Sequence, residues 1–572
     1  MFKIRFIFSF LAFYVCFLLF SNTALAISDP REVPNNRMGI HIVDENDLND
    51  VARLVNSSGG DWGYVKLVIE QDDRDIGKWQ ETLDRMRRLH LIPILRLATK
   101  VENGVWIKPE TSEINAWVDF LDKLNWVSEN RYAVIFNEPN HAKEWGGTLN
   151  PEEYALFLKE FSRKLKEKSS NFFILPAGLD ASAPNSLETM DEASFLARMV
   201  AAEPEILNSI DGWSSHSYPN PGFVGSPSDR GRGTVETFLW EQNLLQTYNK
   251  ENLPIFILET GWQHSEGREF LTYYPPPETV GSYYEEVLGG VWNTSDVVAV
   301  VPFLLNYQSP PFDHFSWKKQ GGKEFNEIYT TVRNIPKSKG APKQKNEVRI
   351  ISPPPTEMIV SSSYNLQLEL ENKGQSIFSK DEGWTASFEG LPQNFDLPRI
   401  RLGRAEPFEK TSIWVNIKTP NQTGNFSYDL FIKRNEETVV RIPFKFKLVP
   451  PPTVFANVRI FPFIKATGEN FKFIVYDEKE RIIFEKKNIK FEKGNAKIES
   501  VYNVIPDKTY RFVLVHPYHL PRQVIVKAPE KVTSVKFPML LPLDPSNDGK
   551  LSLRDIASFF RHPIQTVARL LP

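Results

Sequence analysis

Two glutamates close apolar runs in the first half of the chain. Glu138 sits at the mouth of RYAVIFNEPN, residues 131–140, and Glu259 at the end of PIFILET, followed by Gly261 and Trp262. Two carboxyl groups facing each other across a cleft can cleave a glycosidic bond. One lends its proton to the departing oxygen, and the other, ionised, attacks the anomeric carbon. Mutual repulsion favours that division, because two neighbouring carboxylates do not both ionise readily. Either glutamate alone reads equally well as surface charge or as an ion-pair partner. It is their shared position, each at the end of a strand-like run, that favours chemistry.

The elements that must position these acids repeat from about Arg37 to Arg333. Apolar runs of strand length (RMGIHI, YVKLVIE, IPILRLA, YAVIFNE, FFILPAG, DGWSSHSY, PIFILET and VVAVVPFLLN) alternate with stretches of helical period. Between residues 151 and 168, Tyr154, Phe157, Leu158, Phe161 and Leu165 form one apolar stripe. Asn150 stands ready as the cap, Pro151 as the first helical residue, and Glu153 to reach back. Eight such alternations predict a (β/α)8 barrel over residues 30–335. The rival, an open doubly wound sheet, lacks its Gly-rich phosphate loop after the first strand. In a barrel the functional groups lie where strands end. His41 then ends the first strand, Arg96 comes late in the third, and His216 and Tyr218 end the sixth.

Asn137-Glu138-Pro139 after the fourth strand, with ILETGW after the seventh, resembles the clan A glycoside hydrolases, retaining TIM-barrel glycosidases. The resemblance spans Met38 to about Arg333. It implies Glu138 as general acid/base, Glu259 as nucleophile, and Asn137 as a hydrogen-bond partner of the sugar 2-hydroxyl. HSYP, similar to the clan's His-x-Tyr, implies that His216 lines the sugar site and that Tyr218 donates to Glu259. The implied mechanism is double displacement between carboxyl groups about 5 Å apart, with no metal or organic cofactor for catalysis. Many members end the eighth strand with a tryptophan under the sugar. Here Asn306 and Tyr307 occupy that end and Trp317 follows, leaving Tyr307 and Trp317 as candidates. Arg96 either supports Glu259 or serves an internal salt bridge. Trp145 and Trp262 are expected as stacking platforms, Tyr273 and Tyr274 less so.

After residues 336–346, a linker rich in Pro, Gly and Lys, the period changes to two. Tyr364, Leu366, Leu368 and Leu370 alternate with polar residues, as do Phe426, Tyr428, Leu430 and Ile432. This predicts a β-sandwich over 347–450, and NFKFIVYD, TYRFVLVHP and RQVIVKAP predict a second small one over 453–543. The tail, 544–572, opens with DPSNDGKLSLRD. Asp544, Ser546, Asp548, Ser552 and Asp555 place oxygens at loop positions 1, 3, 5, 9 and 12, with the Lys550 carbonyl between them and Gly549 at the turn. This resembles one half of a dockerin repeat and implies Ca2+ binding and, through the C-terminal modules, a cohesin-like or cell-surface partner.

A net charge of −3 favours neither nucleic acid nor an anionic membrane as partner. Residues 1–26 read as a secretory leader: Lys3 and Arg5, an apolar core, then small residues ending at Ala26. The one cysteine, Cys16, lies inside it, so the mature chain has no disulfide and no thiol nucleophile. The expectation is a secreted glycoside hydrolase with a carbohydrate substrate and no membrane segment in its mature form. The alternative is an inactive barrel that binds carbohydrate or builds a cell surface.

Overall fold

The computed structural model describes residues 27–390 and 398–570, so the expected leader lies outside the described residues. The chain divides into two units, Met1–Lys345 and Asn346–Pro572.

Among the described residues of the first unit, eight strands of three residues or more alternate with eight α-helices. The strands are β1 (Gly39–His41), β2 (Gly63–Glu70), β3 (Leu91–Ala98), β4 (Arg131–Ile135), β5 (Phe172–Pro176), β6 (Trp213–His216), β7 (Ile255–Glu259) and β8 (Val297–Val300). After each comes one helix: α1 (Leu48–Val55), α2 (Ile76–Arg88), α3 (Ile114–Lys123), α4 (Pro151–Lys168), α5 (Glu192–Ala202), α6 (Thr237–Gln246), α7 (Pro277–Gly289) and α8 (Glu327–Asn334). The local reasons are in the sequence. At α4 the Asn150 side chain accepts the Glu153 N–H at 3.1 Å, Pro151 sits in the first turn, and the expected stripe is buried. Each fully buried Leu or Phe of such a stripe contributes about 1.5–3 kcal/mol.

All pairings among these eight strands are parallel. β1 to β5 lie in order in one sheet, and β8, β7 and β6 in another. The sheets meet at both edges. Met38 bridges to Val300, and the Val300 N–H donates to the Arg37 carbonyl at 2.8 Å. On the far side the chain resumes after β5 as Leu179–Asp180 and pairs with Ser215 and His216 of β6. The interior is filled: Phe256 of β7 lies 5.4 Å from Tyr132 of β4 and 5.5 Å from Phe173 of β5, although neither strand neighbours β7. The strand ends therefore open together above an aromatic floor. Lys66 stands two residues beyond Tyr64, whose ring packs 6.2 Å from Tyr132, so it rises from the same inner face.

The Pro- and Lys-rich segment after α8 is tied down rather than loose. Lys337, Gly340 and Ala341 donate backbone N–H groups to Ser58, Asp61 and Pro34, and the Lys343 carbonyl accepts from Glu129. Composition records side chains, whereas these contacts are made by backbone.

The second unit has two cores. One lies between a sheet of Val348–Ile350, Ser363–Asn372, Lys410–Lys418 and Arg399–Leu402 and another of Glu357–Ile359, Glu437–Val449, Gly424–Arg434 and Trp384–Glu389. Tyr364, Leu366, Leu368 and Leu370 point inward, as the alternation requires. The other core lies between Thr453–Asn457 with its two neighbours and a four-stranded sheet built on Gly468–Tyr476 and Thr509–His516. The Tyr364 hydroxyl donates to the Val504 carbonyl at 2.9 Å, joining the two. Two short helices, α9 (Leu553–Arg561) and α10 (Pro563–Leu570), follow. No helix among the described residues is long and apolar enough to cross a membrane.

Candidate active site

Glu138 owes its aim to the backbone. Beyond β4, Phe136 has φ 69° and Glu138 φ 31°, left-handed values that cost a non-glycine residue roughly 1–2 kcal/mol each. Two hydrogen bonds hold the bend: the Glu138 N–H to the Gly178 carbonyl at 3.1 Å, and the His141 N–H to the Glu138 carbonyl at 2.8 Å. The carboxyl then meets Nδ1 of His216 at 2.8 Å and remains partly open to solvent. Gly178 must be glycine, because a Cβ there would lie 2.3 Å from the His216 ring. Asn137, half-buried, precedes the acid at the same rim.

Glu259 is positioned by an irregularity. Pairing between β6 and β7 slips by one residue after Ile257, so Glu259 stands beside His216. A bulge of this kind re-aims the side chain. The Lys66 ammonium, fully buried, donates to one Glu259 oxygen at 2.7 Å, and the Tyr218 hydroxyl donates to the other at 3.2 Å. His216 Nδ1 is 3.9 Å from that second oxygen. Burial pushes the Glu259 pKa up, but the charge of Lys66, helped by His216 and Arg96, outweighs it and holds the acid far below the carboxylate range. Burial pulls Lys66 down to about 8, against the upward pull of Glu259. Burial, with Glu259 beside it, raises Tyr218 well above its ordinary value, keeping it a neutral donor.

Glu138, His216 and Glu259 offer side-chain atoms that lie within 4.8 Å of one another. The same trio could in principle hold a cation, but an ammonium already occupies the Glu259 carboxylate. A carboxyl separation near 5 Å suits direct attack on the sugar, and an intervening water would require 6.5 Å or more, to take rough figures.

Lys66, in the middle of β2, is the cation bonded to Glu259, a role the sequence suggests for Arg96. Arg96 is buried and contributes charge, but its guanidinium lies 6.0 Å from the Trp106 ring and its Nε has no hydrogen-bond partner among the described residues. His41 is buried beside Lys66 with neither ring nitrogen paired among the described residues. Burial, then the Lys66 charge, drives its pKa far down, so the ring is neutral. Glu144, half-buried on the turn after Glu138, is a third acid at this rim, raised to about 7 by burial and then by Glu138.

Three expected sugar platforms are not platforms. Trp262 is buried, its N–H donating to the Gly225 carbonyl and its ring packed on Tyr284. Trp145 is buried among Phe136, Tyr154 and Phe157, and Trp317 against Tyr284. Large rings in loops near a mouth still win more by packing inward than by facing water. Tyr307 is half-buried against Phe312, one ring further out than Phe303. Phe303 itself, beyond β8, meets His41 edge-on at 5.2 Å, so it is the aromatic that reaches the inner site from that strand. Tyr273 is exposed and leans on Tyr274.

In the tail, Asp544, Asp548 and Asp555 bring carboxylate oxygens within 4.8 Å of one another. Asp544 accepts the N–H groups of Asp548 and Gly549, and the Ser546 hydroxyl donates to it at 3.4 Å. Asp555 accepts from the Ser546 and Ser552 N–H groups, and Ser552 caps α9. The exposed Lys550 donates its N–H to Asp548 at 3.0 Å.

No known family profile matches the sequence, and no curated protein matches it. Solved structures that resemble it include a family 39 glycoside hydrolase from Bacteroides cellulosilyticus WH2, with 12% identity over 69% of this chain and 82% of that one, at a TM-score of 0.39. A glucosidase from Croceicoccus marinus shares 8% identity over 83% and 94% at 0.40. A β-mannanase from Thermomonospora fusca shares 11% over 50% and 83% at 0.31.

Proposed function

We propose that the first unit is a (β/α)8 retaining glycoside hydrolase acting on β-linked oligo- or polysaccharide. The observation that carries this is a Glu138–Glu259 pair with oxygens within 4.8 Å, one member held ionised by a buried lysine and the other open to the rim. Glu259 attacks the anomeric carbon as Glu138 protonates the leaving oxygen. Glu138 then takes a proton from water as that water displaces Glu259. Asn137 meets the 2-hydroxyl, Phe303 and His41 back the sugar ring, and the scheme uses no metal. With the leader of residues 1–26, the protein is exported.

The tail loop fits a calcium ion, since Asp544, Asp548 and Asp555 supply hard oxygens at one point. We place the attachment of any cell-surface or cohesin-like partner in the second unit.

A panel of aryl β-glycosides tests the main reading. At least one should be hydrolysed with retained anomeric configuration by NMR, and Glu138→Gln should slow it about 10²–10⁴-fold, Glu259→Gln more. Wild type no faster than either variant on every glycoside would refute it.

A further inference from the structure

We propose that Lys66 is a positioning residue that holds the Glu259 carboxylate as it departs from the sugar, so that loss of the Lys66 proton stalls the second step and sets the alkaline limit of turnover. This rests on the glycosidase reading above.

The lysine side chain is fully buried, and its ammonium donates to Glu259 at 2.7 Å and to the Leu258 carbonyl at 3.3 Å. The charged or titratable groups around it are Glu259 on β7, Arg96 on β3, Glu138 beyond β4 and His41 on β1. His216 on β6 reaches both glutamates. Among the described residues around it the two glutamates are the anions that balance the ammonium, and Glu259 is the one that touches it.

The reaction moves that balance. In the first step a Glu259 oxygen bonds to the anomeric carbon, the bond to the leaving oxygen breaks, and the Glu138 proton goes with the leaving group. Glu259 becomes a neutral ester and Glu138 a carboxylate. Lys66 keeps its charge but loses the anion it was bonded to, which is costly for a buried ammonium. In the second step water attacks the same carbon and gives its proton to Glu138. The electron pair of the breaking ester bond then returns to Glu259, and the buried ion pair is restored. With Lys66 neutral, the carboxylate would leave into a site with no ammonium to receive it.

Burial already brings Lys66 to about 8, with Glu259 as the main upward pull. Esterification removes that pull, so Lys66 gives up its proton at lower pH in the glycosyl-enzyme than in the free enzyme. Arginine in its place would keep its charge throughout.

Where the second step limits turnover, kcat reports the glycosyl-enzyme, in which Glu138 is already ionised and Lys66 is the group that must keep its proton. With an aryl glycoside of that kind, wild-type kcat should fall about tenfold per pH unit above its alkaline limit. Lys66→Arg should move the kcat limit upward by more than about one pH unit, whatever its absolute rate. Identical limits in wild type and Lys66→Arg would overturn the inference and leave the glycosidase reading standing. No Glu259-dependent turnover of any glycoside would overturn both. A measurement on the wild type alone guards against a variant that does not fold: the enzyme trapped with a 2-deoxy-2-fluoro glycoside should reactivate more slowly as pH rises. A reactivation rate flat between about pH 6 and 9 would also overturn the inference.

Discussion

The first unit brings glutamates together twice, and the two pairs have opposite surroundings. At the rim, Glu259 faces Lys66 at 2.7 Å, Tyr218 donates to its other oxygen, and Glu138 meets solvent and His216. Between α5 and α6, Glu192 and Glu241 are wholly buried, their carboxyl groups meeting each other with Ser215 and Trp213 against Glu241. Arg232, the cation of that neighbourhood, is engaged with Asp191 and the Ala181 carbonyl. Burial, then Glu241, raises Glu192 well above the carboxylate range, and burial raises Glu241 to about 7. One pair holds an anion and the other holds protons. Counter-charge, more than the meeting of two acids, decides which.

Removing the counter-charge should erase the contrast. Lys66→Met leaves Glu259 buried without its ammonium, and losing one partner of a buried pair costs about 3–5 kcal/mol. Urea unfolding at pH 7 should show a loss of that size. The loss should shrink toward the acid range, where the stranded carboxyl takes up a proton. Equal stability of variant and wild type at pH 7 would break the comparison.

Neutralising the second pair should act in the other direction. Both folded pKa values there lie above the ordinary 4.5, so the unfolded chain binds fewer protons than the folded one between those limits. The pair's contribution is full below about pH 4.5 and is lost as pH rises through 7 and beyond. Glu192→Gln should therefore stabilise the protein at pH 8 by on the order of 2 kcal/mol and leave it little changed at pH 4. Chemical denaturation at the two pH values reads this directly. A pH-independent difference would count against proton-holding.

A third gathering of acids, in the tail, sharpens the comparison with the smallest effect. Asp555 is held down to about 2 against a burial push, chiefly by donors from Ser546 and Ser552. Serine hydroxyls and backbone N–H groups here do what Lys66 does at the rim. If a cation completes the loop, millimolar Ca2+ should raise the melting temperature of wild type by a few degrees at most. Asp548→Asn should remove the rise. A calcium response unchanged in that variant would exclude the loop.

The legible parts of the molecule were those where one residue type has one physical use. Each of the eight quoted runs overlaps a strand, and Glu259 ends its strand while Glu138 lies three residues beyond its own, because an acid tolerates the end of an apolar strand and not its middle. Lys66 was equally visible in YVKLVIE: a lone cation between Val65 and Leu67 in a buried strand must find an anion inside. The tryptophans misled because nearness to a mouth along the chain says nothing about which way a ring packs. Glu192 and Glu241 gave no signal, since helix glutamates are usually solvated and only tertiary packing buries these two.

The left-handed turn at Phe136 and Glu138 has a further consequence for such a chain. Glycine at either position would relax the backbone by about 1 kcal/mol, yet at 138 it would remove the acid. Under the role proposed for Glu138, heat resistance and catalysis would make opposite demands on that one position.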